Sequence, residues 1–490
     1  MKHLHFAHSL VLLAAMVAQA AWAQSQRSDG AWSATPLIAS FPVAAADTGV
    51  AGDASAADQG KRETPSETAP TGGFFGGGAS GLFGGSDTSS SLGQQSATAG
   101  YELRGSGAAA GTVPGSANIL TAPVRGAAVI FDNGVFVYPS LFVAIGRNDN
   151  ILGTADSQVS SVFYNLVPGV VAELKSHGDR YTVSYLGNYT RYASSAGDNY
   201  KHHDLSLAGD NYLTNRARLG WRLGYLESSD PRGATDRGIS PEPDMWHSPV
   251  AQGIFMYGAE KATGRVELEG YIHNKRYINN RATTEGSDVN IETLAGRVFY
   301  RVMPKTSMVF EIRNTRADYI QSISTNDNTE RRYYVGATWE ATAATPGTFK
   351  LGRATKNFTD PAHQDFSGSS WEGTVRWAPL TYSTLDIITS KGTSDSTGVG
   401  AYVLNTGTTL VWNHKWATYI ASKVTAGTLR SDFAGADRLD NTKTYGLGFS
   451  HELSRSMRAA ADWTYTDRNS NQDTFDFKRN VLMFSIEGTL

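Results

Sequence analysis

Cysteine is absent from this 490-residue sequence. Its absence excludes disulfide bonds, thiolate zinc sites, a cysteine nucleophile and an acylated lipoprotein cysteine. An excess of basic charge is absent too, since 43 Lys and Arg stand against 46 Asp and Glu and the net charge is −3. Nucleic-acid-binding domains are typically basic. We therefore expect no nucleic-acid partner.

Enzyme signatures are also missing. The sequence contains no G-x-S-x-G elbow, no H-E-x-x-H motif and no P-loop. His202 and His203, followed by Asp204, would point to opposite sides of a strand and would not share a metal ion. His273 near Glu269 is the remaining acid–base pair, but no nucleophile accompanies it. We predict no enzyme activity, no metal and no cofactor, with a hydrolase as the weaker alternative.

Long apolar runs are limited to the N-terminus. Lys2 provides a basic start, residues 9–18 form an apolar core and Ala21-Trp22-Ala23 fits a cleavage site, so residues 1–23 are expected to be a secretory signal peptide. An uncleaved anchor is the alternative, but the run is shorter than the roughly 20 residues of a spanning helix. No later run is long enough, so any further membrane crossing must use strands.

The next segment, residues 24–134, is rich in Ala, Gly, Ser and Thr and poor in large aliphatic residues. Such a composition buries too little apolar area to offset the entropy of ordering the chain. We expect a mostly disordered, low-complexity periplasmic segment. The alternative is a plug or partner-binding segment that uses the apolar residues of its glycine-rich patch, Phe74, Phe75, Leu82 and Phe83.

From about residue 135 onward, apolar and polar residues alternate with a period of two. In one stretch the apolar face consists of Ala217, Leu219, Trp221, Leu223 and Tyr225, and the other face carries Arg216, Arg218 and Arg222. Alternation of this kind is typical of strands. Strands recur about once every 20 residues, a spacing longer than in soluble sandwiches and close to that of membrane strands with their loops.

Short and long connections alternate along the same region. The long polar ones lie near 148–159, 193–199, 228–245, 279–288, 320–329, 358–367, 393–400, 430–441 and 468–474, and short ones, such as His414-Lys415, lie between them. Nine long loops and eight short turns give about 18 strands, with both ends in the periplasm. We therefore predict an all-β, transmembrane, antiparallel up-and-down barrel over residues 135–490, in contact with lipid of the outer membrane of a Gram-negative cell.

The C-terminal strand strengthens this prediction. Leu482, Phe484, Ile486, Gly488 and Leu490 alternate up to the last residue. The pattern resembles the terminal strand recognised by the barrel-assembly machinery, which we expect as a partner.

The start of the expected barrel, Val137–Ile151, reads V-Y-P-S-L-F-V-A-I-G-R-N-D-N-I. This proline-containing strand, followed by an acidic Asp-Asn-aliphatic turn, resembles the opening of the family called putative β-barrel porin 2. The resemblance covers about 135–490. It implies an outer-membrane barrel with a porin-like role or a role in the passage or secretion of a polysaccharide, since the family includes proteins associated with exopolysaccharide biosynthesis.

Polar residues of the alternating strands are the candidates for the pore lining. They are Arg216, Arg218, Arg222, Glu267, Glu269, Tyr271, Arg297, Arg301, Glu311, Arg332, Tyr334, Glu340, Glu372, Arg376, Arg458 and Asp462, together with Asp204, Arg313 and Glu487. One interpretation is that these charges pair across neighbouring strands and stiffen the wall. The other is a basic ladder on 216–225 that faces acids elsewhere and orients polar solutes.

The function that these features favour is a porin-like channel for polar solutes or for exopolysaccharide export. An outer-membrane scaffold or adhesin that uses the loops 228–245 and 430–441 for recognition is the alternative. A barrel of about 18 strands is wide enough for an aqueous channel, which is why the channel is the leading hypothesis.

Overall fold

The computed structural model describes residues 129–131, 134–232, 237, 240–259, 262–340, 345–396, 398 and 400–489. The expected signal peptide at 1–23 lies outside these ranges, as does nearly all of the segment 24–134 with its four apolar plug candidates. The described residues belong almost entirely to the expected barrel.

Nineteen strands occur in the described ranges. They are β1 (Val129–Ile130), β2 (Val135–Asn148), β3 (Ser161–Ser176), β4 (Asp179–Tyr192), β5 (Tyr200–Tyr212), β6 (Ala217–Asp230), β7 (Asp244–Tyr257), β8 (Gly264–Tyr277), β9 (Val289–Met303), β10 (Thr306–Tyr319), β11 (Asn328–Glu340), β12 (Pro346–Phe358), β13 (Phe366–Leu380), β14 (Ser383–Asp395), β15 (Tyr402–Ala417), β16 (Ile420–Ala434), β17 (Arg438–Glu452), β18 (Met457–Ser470) and β19 (Phe477–Thr489).

The strands β2–β19 form one closed antiparallel barrel. Each strand pairs with the next along the chain, and β19 pairs with β2, where Phe484 lies opposite Ile145. The two-residue strand β1 pairs with the start of β2. Closure leaves none of these strands with an unpaired edge, which is the condition for a sheet inside hydrocarbon. The predicted 18-stranded up-and-down barrel is therefore confirmed.

Apolar side chains point outward along strand β19, whereas its inner side is mixed, with Val481 and Met483 buried in an apolar cluster with Phe142 and Phe163 and polar residues nearer the turn. Leu482, Phe484 and Ile486 are 44%, 54% and 49% exposed on the outer surface. Ser485 and Glu487, between and beyond them, are buried on the inner side. Exposed apolar residues of this density would be a liability in water, but they match an outer wall that meets lipid.

Two of the predicted connections are wrong. The expected turn at His414-Lys415 belongs to β15, and the chain turns at 418–419. The expected long loop at 430–441 is a three-residue turn at 435–437 between β16 and β17. The polar composition was misleading because the strands are polar on both faces near this end. Arg430 lies outward at the rim, and Ser431 hydrogen-bonds inward to Asn405 at 2.7 Å.

Helical structure is confined to connections. A single-turn helix, α1 (Arg281–Thr284), lies between β8 and β9, and 3-10 turns occupy Ala196–Asp198, Glu285–Ser287 and Asp473–Phe475. Within the described ranges, no helix has the length and apolar character needed to cross a membrane.

Candidate functional site: the charged inner wall

The predicted pore-lining residues meet on the inner face of β8–β11. Glu267, Arg297, Glu311 and Tyr334 lie side by side in one row on these four successive strands. The antiparallel register produces this row, because residues directly opposite each other on neighbouring strands point to the same face. Acids and bases from separate parts of the sequence thereby become direct neighbours.

Arg297 is the first centre of this network. Its guanidinium lies 2.6 Å from Glu269, 3.1 Å from Glu311 and 3.9 Å from Glu267. Only 2% of the residue is exposed. A guanidinium this deeply buried is tolerated because carboxylates compensate its charge and accept its hydrogen bonds.

Glu311 is the second centre, and it binds cations of three strands. Its carboxylate lies 2.5 Å from Arg313 and 2.8 Å from the Lys350 ammonium, in addition to its contact with Arg297. Glu372 on β13 extends the network, since it lies 2.9 Å from Arg313 and 2.6 Å from Lys350. The charges therefore form a continuous lattice from β8 to β13.

Arg332 and Tyr334 on β11 complete the lattice. Arg332 lies 2.6 Å from Glu330 and 3.7 Å from Glu372. The hydroxyl of Tyr334 lies 2.7 Å from that of Ser370 on β13, two strands away. The strand between them contributes Gly352, which stands between Tyr334 and Ser370 in register. Because Gly352 has no side chain, the hydroxyls of Tyr334 and Ser370 have room to meet across the strand between them.

Gly352 supplies a testable prediction. A Cβ added there would lie 1.7 Å from the carbonyl oxygen of Tyr333, a backbone atom that cannot move aside. We expect Gly352→Ala to destabilise the barrel by roughly 1–3 kcal/mol, as overpacking does. Denaturant unfolding in lipid vesicles measures the loss. Gly253→Ala on β7 is the control, because nothing lies within 4 Å of its added Cβ; equal stability of the two variants would refute the argument.

The basic ladder of β6 is neutralised locally. Arg222 lies 3.1 Å from Asp204, and Arg218 forms an ion pair with Asp210, both acids being on the adjacent strand β5. Arg216 is not part of the strand, since it lies exposed in the turn before β6. The carboxylates that pair with the arginines of β6 therefore lie on the neighbouring strand and not on the opposite wall of the barrel.

The other charged candidates lie apart from the lattice. Arg376 pairs with Asp386 at 2.6 Å, and Arg458 pairs with Glu487 at 2.7 Å. Asp462 on β18 lies two strands from the buried Lys423, across Gly448. Arg301 lies close to the turn end of β9, and the side chain of Glu340 lies outside the described part of the chain.

The three histidine candidates contact different partners. His202 faces inward, 2.8 Å from Ser229, and the adjacent His203 contacts the outward Tyr185 hydroxyl at 2.9 Å. The expected opposite orientation is confirmed. Glu269 is engaged by Arg297, and the His273 ring lies beside that of Tyr271, with centroids 6.1 Å apart. Among the described residues, no group of three or more His, Asp or Glu is placed to hold a metal ion.

Sequence reasoning missed the lysines of the wall. Lys350 binds both Glu311 and Glu372, and Lys356 forms an ion pair with Asp395. The sequence did indicate an inward position for Lys350, because the apolar residues on either side of it, Phe349 and Leu351, have the spacing of outward-facing residues. It was missed because glycines on both faces of this strand break the apolar alternation.

Comparison with known proteins now identifies the fold family. The family model described as "Putative beta-barrel porin 2" matches residues 132–489. The chain belongs to this family. Membership in the putative beta-barrel porin 2 family and the barrel fold imply an outer-membrane protein of the porin type, a class of channels without enzyme activity.

Solved structures similar to this member of the family include several outer-membrane barrels. A BenF-like porin from Pseudomonas fluorescens Pf-5 is 8% identical with a TM-score of 0.44, and the match covers 73% of this chain and 99% of that one. OccK11 (OpdR) from Pseudomonas aeruginosa is 10% identical with a TM-score of 0.42, covering 75% and 99%. A bacterial polysaccharide outer membrane secretin is 12% identical with a TM-score of 0.35, covering 72% and 98%. Among curated proteins, none matches this chain.

Proposed function

We propose that this barrel is a passive channel in the outer membrane of a Gram-negative cell that conducts polar solutes. The observation that carries the proposal is the polar, charge-paired inner wall of a closed 18-stranded barrel. Barrels of 16–18 strands leave an aqueous lumen.

The paired arrangement of the wall charges bears on selectivity. Arg297, Arg313 and Lys350 are each matched by carboxylates of Glu311, Glu269 or Glu372. Matched charges create little net field along the pore, so the lining favours neutral polar solutes over ions of one sign. Neutral stretches of an exopolysaccharide, the solute suggested by the family resemblance, fit this chemistry.

Conductance across a planar bilayer tests the proposal directly. We expect the mature chain, refolded in detergent, to produce discrete conductance steps with weak selectivity between K⁺ and Cl⁻. Dextran added on one side should cause transient blockages, whereas maltose at the same mass concentration should not. Heat-denatured protein is the control. A correctly folded barrel that never conducts would reject the channel.

A scaffold or adhesin is the second candidate function. It is favoured by the loops that connect the strands from β4 to β9, because ion pairs hold these loops in place. Arg232 lies 2.5 Å from Asp198 of the neighbouring loop, and this hydrogen bond raises the pKa of Arg232. Arg281 and Asp288 are 2.9 Å apart in the next loop. A braced rim presents a fixed surface for recognition. Binding to cells or polymers that survives in a barrel without conductance would favour this candidate.

A further inference from the structure

Basic residues on the outer surface are distributed unequally between the two ends of the barrel. Eleven Lys and Arg side chains of β2–β19 point outward by register, and every one lies in the half of its strand on the loop side of the barrel, the end that carries the long loops and the three-residue turn at 435–437. They are Arg147, Arg191, Lys201, Arg276, Arg316, Arg331, Arg353, Lys391, Arg430, Lys443 and Lys478. We call this set the outer basic belt.

The opposite end of the outer surface has a different chemistry. Large aromatic side chains lie there next to the short turns, and Tyr257, Tyr300, Trp377 and Trp416 are between 49% and 63% exposed. Aromatic residues of this kind mark a membrane–water interface. Exposed aromatic residues such as Tyr164 and Tyr225 lie in the loop half as well, so the cations, and not the aromatic rings, distinguish the two rims of the lipid-facing band.

Acidic residues compensate the positive charge in only part of the outer basic belt. Arg316 pairs with Asp318 at 2.9 Å, and Lys443 and Lys478 flank Asp467 in register. Across β11–β14 the belt has a different composition. The outward positions near the loop ends of these strands hold Arg331, Arg353 and Lys391, accompanied by hydroxyl and amide side chains.

The partners of these three cations are neutral. The Arg353 guanidinium donates to the Ser367 hydroxyl at 2.7 Å, and the Lys391 ammonium donates to Ser369 at 3.1 Å. Arg331 donates to the amide oxygen of Asn314 at 3.4 Å. Hydrogen bonds to neutral groups leave the positive charge uncompensated, unlike the carboxylate contacts of the inner wall.

We propose that Arg331, Arg353 and Lys391, with the hydroxyls of Ser367 and Ser369, form a binding surface for phosphate-bearing lipid head groups of the leaflet on the loop side. Guanidinium groups bind phosphate in a bidentate manner, and hydroxyls supply further donors. The Trp371 ring lies 5.4 Å from the Lys391 ammonium, and tryptophan side chains on the outside of a barrel favour the level where acyl chains meet head groups. Anionic head groups attract basic residues at this level.

The test uses the refolded full-length mature chain and lipid A as the phosphate-bearing probe. Native mass spectrometry measures how much lipid A each barrel retains. We expect the variant R331Q/R353Q/K391Q to bind lipid A roughly tenfold more weakly or worse. The control K305Q/K415Q/R455Q removes the same charge from exposed positions on the turn side, and it should bind as the unmodified chain does.

Two further measurements make the result decisive. Dephosphorylated lipid A should bind weakly to every variant, because phosphate is the recognised group. R331Q/R353Q, which leaves Lys391 in place, should also bind less lipid A than the unmodified chain, and it serves in place of the triple variant should that chain fail to refold. Unchanged lipid A binding by a folded triple variant, or equal binding of the dephosphorylated probe, would overturn the proposal. This surface faces lipid, so the outcome is independent of conductance.

Discussion

Replacing Glu311 by Gln is expected to lower the free energy of unfolding of the barrel by about 3–5 kcal/mol. The Glu311 residue is 2% exposed, and its carboxylate is contacted by Arg297, Arg313 and Lys350 on three strands. Glutamine keeps the shape of the side chain but removes the charge, so three buried cations lose a shared counter-ion. Removing one partner of a buried ion pair lowers the stability by more than the intact pair contributed, because the charges that remain are left buried without a counter-ion.

Asp318→Asn on the same strand is the matched control. The pair of Asp318 with Arg316 is 2.9 Å long, but its side chains are 37% and 61% exposed, and exposed pairs contribute about 0–1 kcal/mol. Denaturant unfolding in lipid vesicles measures both variants. A Glu311→Gln barrel as stable as the Asp318→Asn barrel would show that the inner-wall lattice does not hold the strands together.

Placing a charge in the middle of the lipid-facing band is expected to cost about 2–4 kcal/mol. Phe310 is 45% exposed on the outer surface of β10, between Val298 and Val335 of the neighbouring strands. Phe310→Arg would put a guanidinium among aliphatic side chains, at a depth where hydrocarbon provides no hydrogen-bonding partner. The barrel should therefore unfold at a lower denaturant concentration in vesicles.

The control is Asn314→Arg, four residues nearer the loops on the same strand and the same face. Asn314 lies beside Arg331 in register, inside the outer basic belt, where an added arginine should cost about 0–1 kcal/mol. A stability cost that depends on the depth of the added arginine is expected in lipid and not in water. Equal costs at both positions would contradict a membrane around this band.

The fold could be predicted from the sequence because its main signal, the alternation of apolar and polar residues, involves only residues that are close together in the chain. Alternation with a period of two assigns each side chain to a face without knowledge of the partner strand, and the loop asymmetry gives the strand number. Strand ends were harder to locate, as the turn after β16 shows. Arg430 and Ser431 are polar because they lie at the rim and the inner wall, not because the chain leaves the sheet there.

The charged wall was harder to predict than the fold. Each candidate could be assigned to the inner face, but the pairs depend on register and on contacts two strands away. Lys350 reaches Glu311 on β10 and Glu372 on β13 from β12, and a single sequence gives no register between distant strands. For the same reason the partners of Lys350 could not be predicted, and Asp210 was not recognised as the partner of Arg218.

A closed barrel of this kind encloses its charged wall and presents its apolar outer face to lipid. Because the chain has no native cysteine, a fluorescent label can be attached to one introduced cysteine at a time along the closing strand β19, from Val481 to Ile486. In vesicles of brominated lipid, the labels at 482, 484 and 486 should be strongly quenched and those at 481, 483 and 485 should not. Uniform quenching, or none, at all six positions would show that the two faces of β19 are not divided between lipid and the barrel interior.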